Sequence, residues 1–151
     1  MLEVGDIPPE FSLRDQHGQE QTLAARRGRR NVLLVFYPFA FTGVCTGELH
    51  ALSDNAREWE RLGTDVLAVS CDSVPALRVF ADREGFEFPL LSDFWPHGEV
   101  STAYGAFQAD LGAAGRATYV IDRSGVIRYT VRTAIPDARD INDYVKALAD
   151  L

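Results

Sequence analysis

Apolar residues along this chain form short runs of strand length. Asn31–Tyr37 is apolar almost throughout, as expected for a strand that is covered on both faces of a sheet, and Pro38 ends it. Val66–Val69 predicts a second buried strand, and Phe11–Leu13 predicts a short strand near the N-terminus. Together these runs predict a sheet at the centre of the fold.

The segments between the strands carry apolar residues at helical spacing. A helix that follows Thr42 would bury apolar residues at offsets of three, seven and ten positions, namely Leu49, Leu52, Ala56 and Trp59. Ser73 is a predicted helix N-cap, with Pro75 in the first turn. The last helix is predicted to start at Asp137 or Asp140. Its buried residues would be Ile141, Val145 and Leu148.

The C-terminal third of the chain predicts a hairpin. Thr118–Ile121 and Val126–Thr130 are strand-like and are joined by the turn sequence Asp-Arg-Ser-Gly at 122–125. A short helix is predicted over Gly98–Tyr104. Strands that alternate with helices and close on a hairpin predict an α/β fold, in which helices cover both faces of the sheet.

Composition and charge serve mainly to exclude classes of protein. The 151 residues are 46% hydrophobic and 25% charged, which is ordinary for one globular domain over residues 1–151. A net charge of −7 makes the chain a poor candidate for binding nucleic acid. No apolar stretch approaches the roughly 18 residues of a membrane span, and no signal peptide is recognised at the N-terminus.

The two cysteines, Cys45 and Cys71, are expected to be free thiols in a reducing compartment, which points to the cytoplasm. No metal site and no cofactor are predicted. The three histidines lack a close ligand spacing with the cysteines; they are His17, His50 and His97.

The candidate chemistry lies in Pro38–Leu49. This segment leaves the C-terminal end of a buried strand and opens a helix, which is where open α/β sheets bind ligands. Cys45 would lie in the first helical turn, where free backbone N–H groups favour an anion. There a thiol pKa can fall from ~8.5 to about 3.5–7.5, and the thiolate is the nucleophile. Taken alone, Cys45 could equally be a small buried hydrophobe.

The spacing Pro38-x-x-x-Thr42-x-x-Cys45 resembles the signature of the peroxiredoxins, and Arg116 at the head of a strand completes the set usual in that family. Two further segments, 39–45 and 90–98, resemble those of its one-cysteine AhpE subgroup. The motif alone is a moderately specific sign of the family. Together with the two segments and the chain length, it makes a strong resemblance.

The resemblance covers nearly the whole chain. It starts at Gly5–Leu13, which is similar to the opening strand of the family, and ends with the hairpin and the C-terminal helix. It implies a thioredoxin-like fold: a central mixed β-sheet flanked by helices, with an N-terminal β extension.

The same resemblance implies an antioxidant thiol peroxidase that acts in cell redox homeostasis and reduces hydrogen peroxide and organic hydroperoxides. Cys45 would attack the peroxide and become a sulfenic acid. Thr42 would orient the peroxide, Arg116 would stabilise the thiolate and the charge along the O–O axis, and Pro38 would limit water access. The predicted substrate-binding residues are Gly43, Val44 and Trp95.

Residue type alone leaves other roles open for these partners. Thr42 could be a helix cap, and Arg116 could be a surface residue ahead of a strand. Glu48 could make polar contacts near the site or be a solvated carboxylate of the first turn. Trp95 and Phe94 could line an apolar entrance, but packing in the core or a dimer interface is the preferred interpretation.

The reductant of the sulfenic acid is a separate question. The position five residues after Cys45 is His50, and the chain stops at Leu151 just after its last predicted helix, so Cys71 is the one other thiol. Cys71 is expected at a strand end on the same rim as Cys45, either as a buried structural thiol, which is favoured, or as a resolving cysteine. The resemblance implies an external reductant: mycoredoxin, mycothiol or a thioredoxin-like protein.

Two rival functions share this fold class. A thiol–disulfide oxidoreductase requires a Cys-x-x-Cys pair, but positions 42 and 48 are Thr and Glu. A non-catalytic binding or holdase-like module predicts an unreactive Cys45. Because the family commonly forms dimers, a homodimer is expected by resemblance.

Overall fold

The computed structural model describes all 151 residues. The strands are β1 (Ser12–Arg14), β2 (Glu20–Thr22), β3 (Asn31–Phe36), β4 (Thr64–Ser70), β5 (Leu90–Ser92), β6 (Phe107–Gln108), β7 (Ala113–Ala114), β8 (Arg116–Ile121) and β9 (Ile127–Thr133). The α-helices are α1 (Gly43–Asp54), α2 (Ala56–Arg61), α3 (Val74–Glu84), α4 (Glu99–Ala103) and α5 (Ile141–Ala149). A short 3-10 helix covers Ala24–Arg26.

Seven strands form one mixed sheet in the order β2-β1-β5-β4-β3-β8-β9. β3, β4 and β5 are mutually parallel. On one side of them β8 is antiparallel to β3, and β9 is antiparallel to β8. On the other side β1 is antiparallel to β5, and β2 is antiparallel to β1. β6 and β7 form a separate two-stranded ribbon. The thioredoxin-like α/β class expected from the sequence is therefore confirmed.

The apolar run of β3 lies at the centre of the sheet and is buried throughout. Because side chains alternate along a strand, Leu33, Val35 and Tyr37 face the layer formed by α1, α3 and α5. Leu34 and Phe36 face the opposite layer. The carboxyl end of β3 leads directly into the segment that carries Cys45.

The two faces of the sheet are covered differently. The helices α1, α2, α3 and α5 pack on one face. The other face is covered mainly by the N-terminal segment, the residues after α4 and the β6–β7 ribbon, so the expectation of helices on both faces holds only in part. Right-handed crossovers explain the asymmetry: β3, β4 and β5 succeed one another in one direction, which places their connecting helices on one face.

The prediction of one continuous helix after Thr42 is wrong in its second half, because the structure has two helices there. The chain breaks at Asn55, whose side-chain amide donates to the Ala51 carbonyl at 2.8 Å. Ala56, predicted to be buried, is exposed at the start of α2. Trp59 is buried as expected, and its indole N–H donates to the Leu52 carbonyl at 2.8 Å.

The caps of the later helices follow the sequence. Ser73 accepts a hydrogen bond from the Ala76 backbone N–H at the start of α3. Asp140, rather than Asp137, caps α5. The buried face of α5 consists of Tyr144 and Leu148, while two residues predicted to be buried are only partly so; they are Ile141 and Val145. None of the helices has the length and apolarity needed to cross a bilayer.

Candidate active site

A sharp turn between β3 and α1 sets the position of Cys45. Pro38 is buried where β3 ends, and Phe41 adopts a left-handed backbone conformation with φ of 67°. Such strain in a residue other than glycine is found mainly where the surroundings enforce it. The Phe41 ring packs on Phe80 at 5.0 Å between centroids. The turn leaves Cys45 in the first turn of α1, with only 1% of its surface exposed.

Arg116 reaches Cys45 from the neighbouring strand. It is the first residue of β8, which pairs with β3, and it is 3% exposed. Its Nη1 donates to the Cys45 Sγ at 3.2 Å and to Glu48 Oε1 at 2.7 Å. Its Nε donates to the Ile135 carbonyl at 2.5 Å. Arg116 is thus a buried partner of the thiol and not a surface residue.

Glu48 is fixed by a second arginine, Arg139. The Nε and Nη2 groups of Arg139 donate to the two carboxylate oxygens, each at 2.8 Å, and its backbone N–H donates at 2.7 Å. Glu48 lies one helical turn after Cys45 and is 7% exposed. Of the two roles left open for Glu48, the buried polar contact is the one observed.

Arg139 is itself anchored to the central strands. Its Nη1 donates to the carbonyls of Phe36 and Ala117 and to the Thr118 hydroxyl, at 2.7–3.1 Å. Sequence reasoning missed Arg139, because it lies 91 positions from Glu48 in an irregular segment and no local pattern marks it. We call Arg116, Glu48 and Arg139 the charge cluster.

The charge cluster keeps Glu48 ionised. Burial by itself raises the pKa of Glu48, but hydrogen bonds from Arg139 and the positive charges of Arg139 and Arg116 outweigh it and hold that pKa below its usual value. Two guanidinium groups therefore face one carboxylate. The buried cluster carries one net positive charge beside the Cys45 sulfur.

The start of α1 presents free donors on the same side. Thr42 occupies the N-cap position but does not cap the helix with its side chain. Its hydroxyl instead donates to the Phe39 carbonyl at 2.7 Å. The N–H groups of Gly43, Val44 and Cys45 thus have no protein acceptor. Unpaired donors at a helix start favour an anion or a polar ligand.

Trp95 does not join this arrangement. Its side chain is 83% exposed after β5, so packing in the core, one interpretation of the sequence, is wrong. No hydrogen bond or aromatic contact connects it with Cys45. Phe94 beside it is also half exposed and packs on the His97 ring at 6.2 Å.

Cys71 lies on the opposite side of the sheet from Cys45. It follows β4 at the expected rim, but its sulfur is 3.9 Å from the Ser101 hydroxyl, beneath α4. Burial and the charge of Asp93 raise the pKa of Cys71 to about 11. Both cysteines are free and buried. The shared rim therefore does not bring the two sulfurs to one pocket.

Comparisons with known proteins agree with this geometry. The sequence profile described as the AhpC/TSA family matches residues 4–130. Alkyl hydroperoxide reductase E of Mycobacterium tuberculosis is 50% identical over 151 residues, covering 100% of this chain and 99% of the relative. Chloroplastic peroxiredoxin Q of Triticum aestivum is 31% identical over 148 residues, covering 97% and 67%. The crystal structure of peroxidoxin BcpB from Mycobacterium tuberculosis has a TM-score of 0.90 at 28% identity, covering 100% and 99%.

A thioredoxin-like sheet with a buried cysteine at a helix start, together with these relatives, defines a thiol-dependent peroxidase. The chain belongs to the AhpC/TSA family, and within it to the peroxiredoxins of the alkyl hydroperoxide reductase E type. The family resemblance seen in the sequence is thereby confirmed.

Proposed function

We propose that this peroxiredoxin reduces hydrogen peroxide and organic hydroperoxides by attack of the Cys45 sulfur on a peroxide oxygen. The observation that carries the proposal is the 3.2 Å hydrogen bond from Arg116 Nη1 to the Cys45 sulfur inside the buried charge cluster. A guanidinium donor stabilises a thiolate more than a thiol, and the thiolate is the nucleophile.

Charge balance in the pocket supports the same state. Arg116 and Arg139 contribute two positive charges and Glu48 one negative charge, from side chains that are at most 5% exposed. A buried charge without a partner is costly. A thiolate at Cys45 would bring the total charge of the pocket to zero.

In the proposed step, the thiolate attacks the terminal oxygen of R–O–O–H. The S–O bond forms as the O–O bond breaks, so the sulfur is oxidised to a sulfenic acid and the peroxide is reduced. The departing RO⁻ takes up a proton and leaves as water or an alcohol. Arg116 would stabilise the negative charge that develops along the O–O axis.

The remaining residues would bind and orient the peroxide. The Thr42 hydroxyl, whose proton is directed to Phe39, would accept a hydrogen bond from the peroxide. The free N–H groups of Gly43 and Val44 would donate to it, and the buried Pro38 would limit water. The exposed Trp95 is left out of this set.

An external thiol would complete the cycle. The opposite placement of Cys71, with its raised pKa, supports a mechanism that uses one cysteine. The proposed reductant is mycoredoxin, mycothiol or a thioredoxin-like protein, and the proposed compartment is the cytoplasm, where free cysteines persist.

Mass spectrometry after one equivalent of peroxide tests this mechanism. The parent protein and a Cys71→Ser variant should each gain one oxygen atom on the Cys45 peptide, and Cys45→Ser should gain none there. A Cys45–Cys71 disulfide as the main product would overturn the use of one cysteine. A parent protein with an unmodified Cys45 would overturn the proposed function itself.

A homodimer is also proposed, because large apolar side chains are exposed around the turn that carries Cys45. Phe39, Phe41 and Val79 are 40–51% exposed. An apolar surface of this kind is typical of a protein interface. Sedimentation equilibrium would give the mass of the assembly, and a monomer at micromolar concentration would contradict the proposal.

A further inference from the structure

One buried hydroxyl in the layer of Cys45 has no hydrogen-bond partner. Tyr37 is 0% exposed at the end of β3, and its phenolic oxygen neither donates nor accepts a hydrogen bond. The other buried tyrosines are all satisfied: Tyr104 donates to Pro9, Tyr119 donates to Tyr104, and Tyr144 bonds to Thr118. An unpaired buried hydroxyl lowers stability, and each such group in a native protein calls for an explanation.

The place of Tyr37 connects it with the candidate site. The alternation of β3 puts its side chain on the α1 face, in the same apolar cluster as Cys45. Burial raises the pKa of Tyr37; the neighbouring Ser70 hydroxyl offsets part of this rise, and the negative charges of Asp72 and Cys45 add to it. The phenol therefore remains protonated at neutral pH and is available as a hydrogen-bond donor.

The polar groups nearest to Tyr37 bond to one another and not to its hydroxyl. The Ser70 hydroxyl donates its proton to Asp72 Oδ2 at 2.7 Å. The same carboxylate oxygen of Asp72 accepts the Ala40 backbone N–H at 2.9 Å. The Ser70 oxygen also accepts the Asp72 backbone N–H at 3.3 Å, and the Tyr37 hydroxyl lies near Ser70 without forming a hydrogen bond to it.

We propose that the Tyr37 hydroxyl donates a hydrogen bond to the oxygen atom that Cys45 gains on oxidation. The inference rests on the proposed function, because the acceptor exists only after Cys45 has reacted. Oxidation adds one oxygen to the sulfur and changes no bond of Tyr37. The unpaired donor of the reduced state becomes a satisfied donor in the oxidised state.

This hydrogen bond would protect the sulfenate from a second oxidation. In that reaction the sulfenate sulfur attacks another peroxide, a second S–O bond forms, the O–O bond breaks, and sulfinate and an alcohol or water result. A hydrogen bond to the sulfenate oxygen withdraws electron density from the sulfur and lowers its nucleophilicity. Tyr37 is thus a positioning residue that favours return to the thiol.

A comparison of Tyr37→Phe with Tyr119→Phe tests the inference. Stopped-flow kinetics and mass spectrometry give the rate constants for the first and the second oxidation of Cys45. In Tyr37→Phe the ratio of the second to the first should rise about five- to tenfold, the equivalent of one hydrogen bond. Tyr119→Phe removes an equally buried hydroxyl from the other face of the sheet, and its ratio should equal that of the parent.

Thermal unfolding of the reduced proteins gives a second, independent result. Tyr37→Phe should keep or raise Tm, because it removes no hydrogen bond, whereas Tyr119→Phe should lower Tm. An unchanged oxidation ratio in Tyr37→Phe, or a loss of Tm equal to that of Tyr119→Phe, would overturn the inference alone. A parent protein that forms no sulfenic acid would instead overturn the proposed function.

Discussion

The two cysteines of this chain are both free and both buried, yet their surroundings are opposite in charge. Cys45 lies 3.2 Å from the Arg116 guanidinium, beside a cluster with one net positive charge. Cys71 lies across the sheet, near the Ser101 hydroxyl and the Asp93 carboxylate, and its pKa is raised to about 11. The two buried thiols therefore lie next to charges of opposite sign.

Arg116→Ala should remove most of the difference in charge between the surroundings of Cys45 and Cys71. Without the guanidinium, Cys45 would be a buried thiol beside the Glu48 carboxylate, and charge developing on a peroxide would lose its donor. We expect the second-order rate constant with peroxide to fall by about 10²–10³, the effect of removing one preorganised donor. Stopped-flow fluorescence would measure it.

Arg128→Ala is a matched control, because Arg128 lies on the adjacent strand β9 and pairs only with Asp122 near the surface. Its rate constant should equal that of the parent. If Arg116→Ala reacted as fast as this control, the role assigned to Arg116 would be wrong.

Glu48→Gln should destabilise the surroundings of Cys45, because it leaves two buried guanidinium groups without their carboxylate. The free energy of unfolding should fall by about 1.5–3 kcal/mol, the typical value of hydrogen bonds to a charged group. Denaturant titration would measure it. Glu60→Gln, at an ion pair whose carboxylate is 76% exposed, should cost under ~1 kcal/mol. Equal losses in both variants would contradict a stabilising role for the charge cluster.

The last expected effect is confined to alkaline pH and concerns Cys71. Its pKa is about 11 in the folded protein and about 8.5 in an unfolded chain, so the folded state holds the proton more tightly. The resulting stability is fully present below pH ~8.5 and is lost as the pH rises towards about 11. The unfolding free energy of the parent should therefore fall more steeply over this interval than that of Cys71→Ala. Parallel curves would show that burial of Cys71 has no such effect.

The sequence predicted the elements that lead to the site because their signals are local. The apolar run Asn31–Tyr37 requires burial on both faces. Pro38 ends this strand, and the following turn sets where α1 starts. The break at Asn55 escaped prediction, because a side-chain hydrogen bond to Ala51 decides it and the apolar spacing continues through it.

The placement of functional groups across the sheet could be predicted only in part. The family motif brought Arg116 to Cys45, but the side of the sheet that Cys71 faces depends on the pairing of β4 with β3, which a single sequence does not reveal. The role of Arg139 was not predicted, because its contact with Glu48 joins residues that are 91 positions apart. Contacts of this range follow from tertiary packing and have no local pattern.

The segment between β9 and α5 has a consequence for biosynthesis. It supplies the Ile135 carbonyl that holds Arg116 and the guanidinium and backbone N–H of Arg139 that hold Glu48. A chain still attached to the ribosome, with this segment not yet released, contains Cys45, Glu48 and Arg116 but lacks the groups that hold the two charged side chains in place. The charged surroundings of Cys45 can therefore be completed only when nearly all of the polypeptide has emerged.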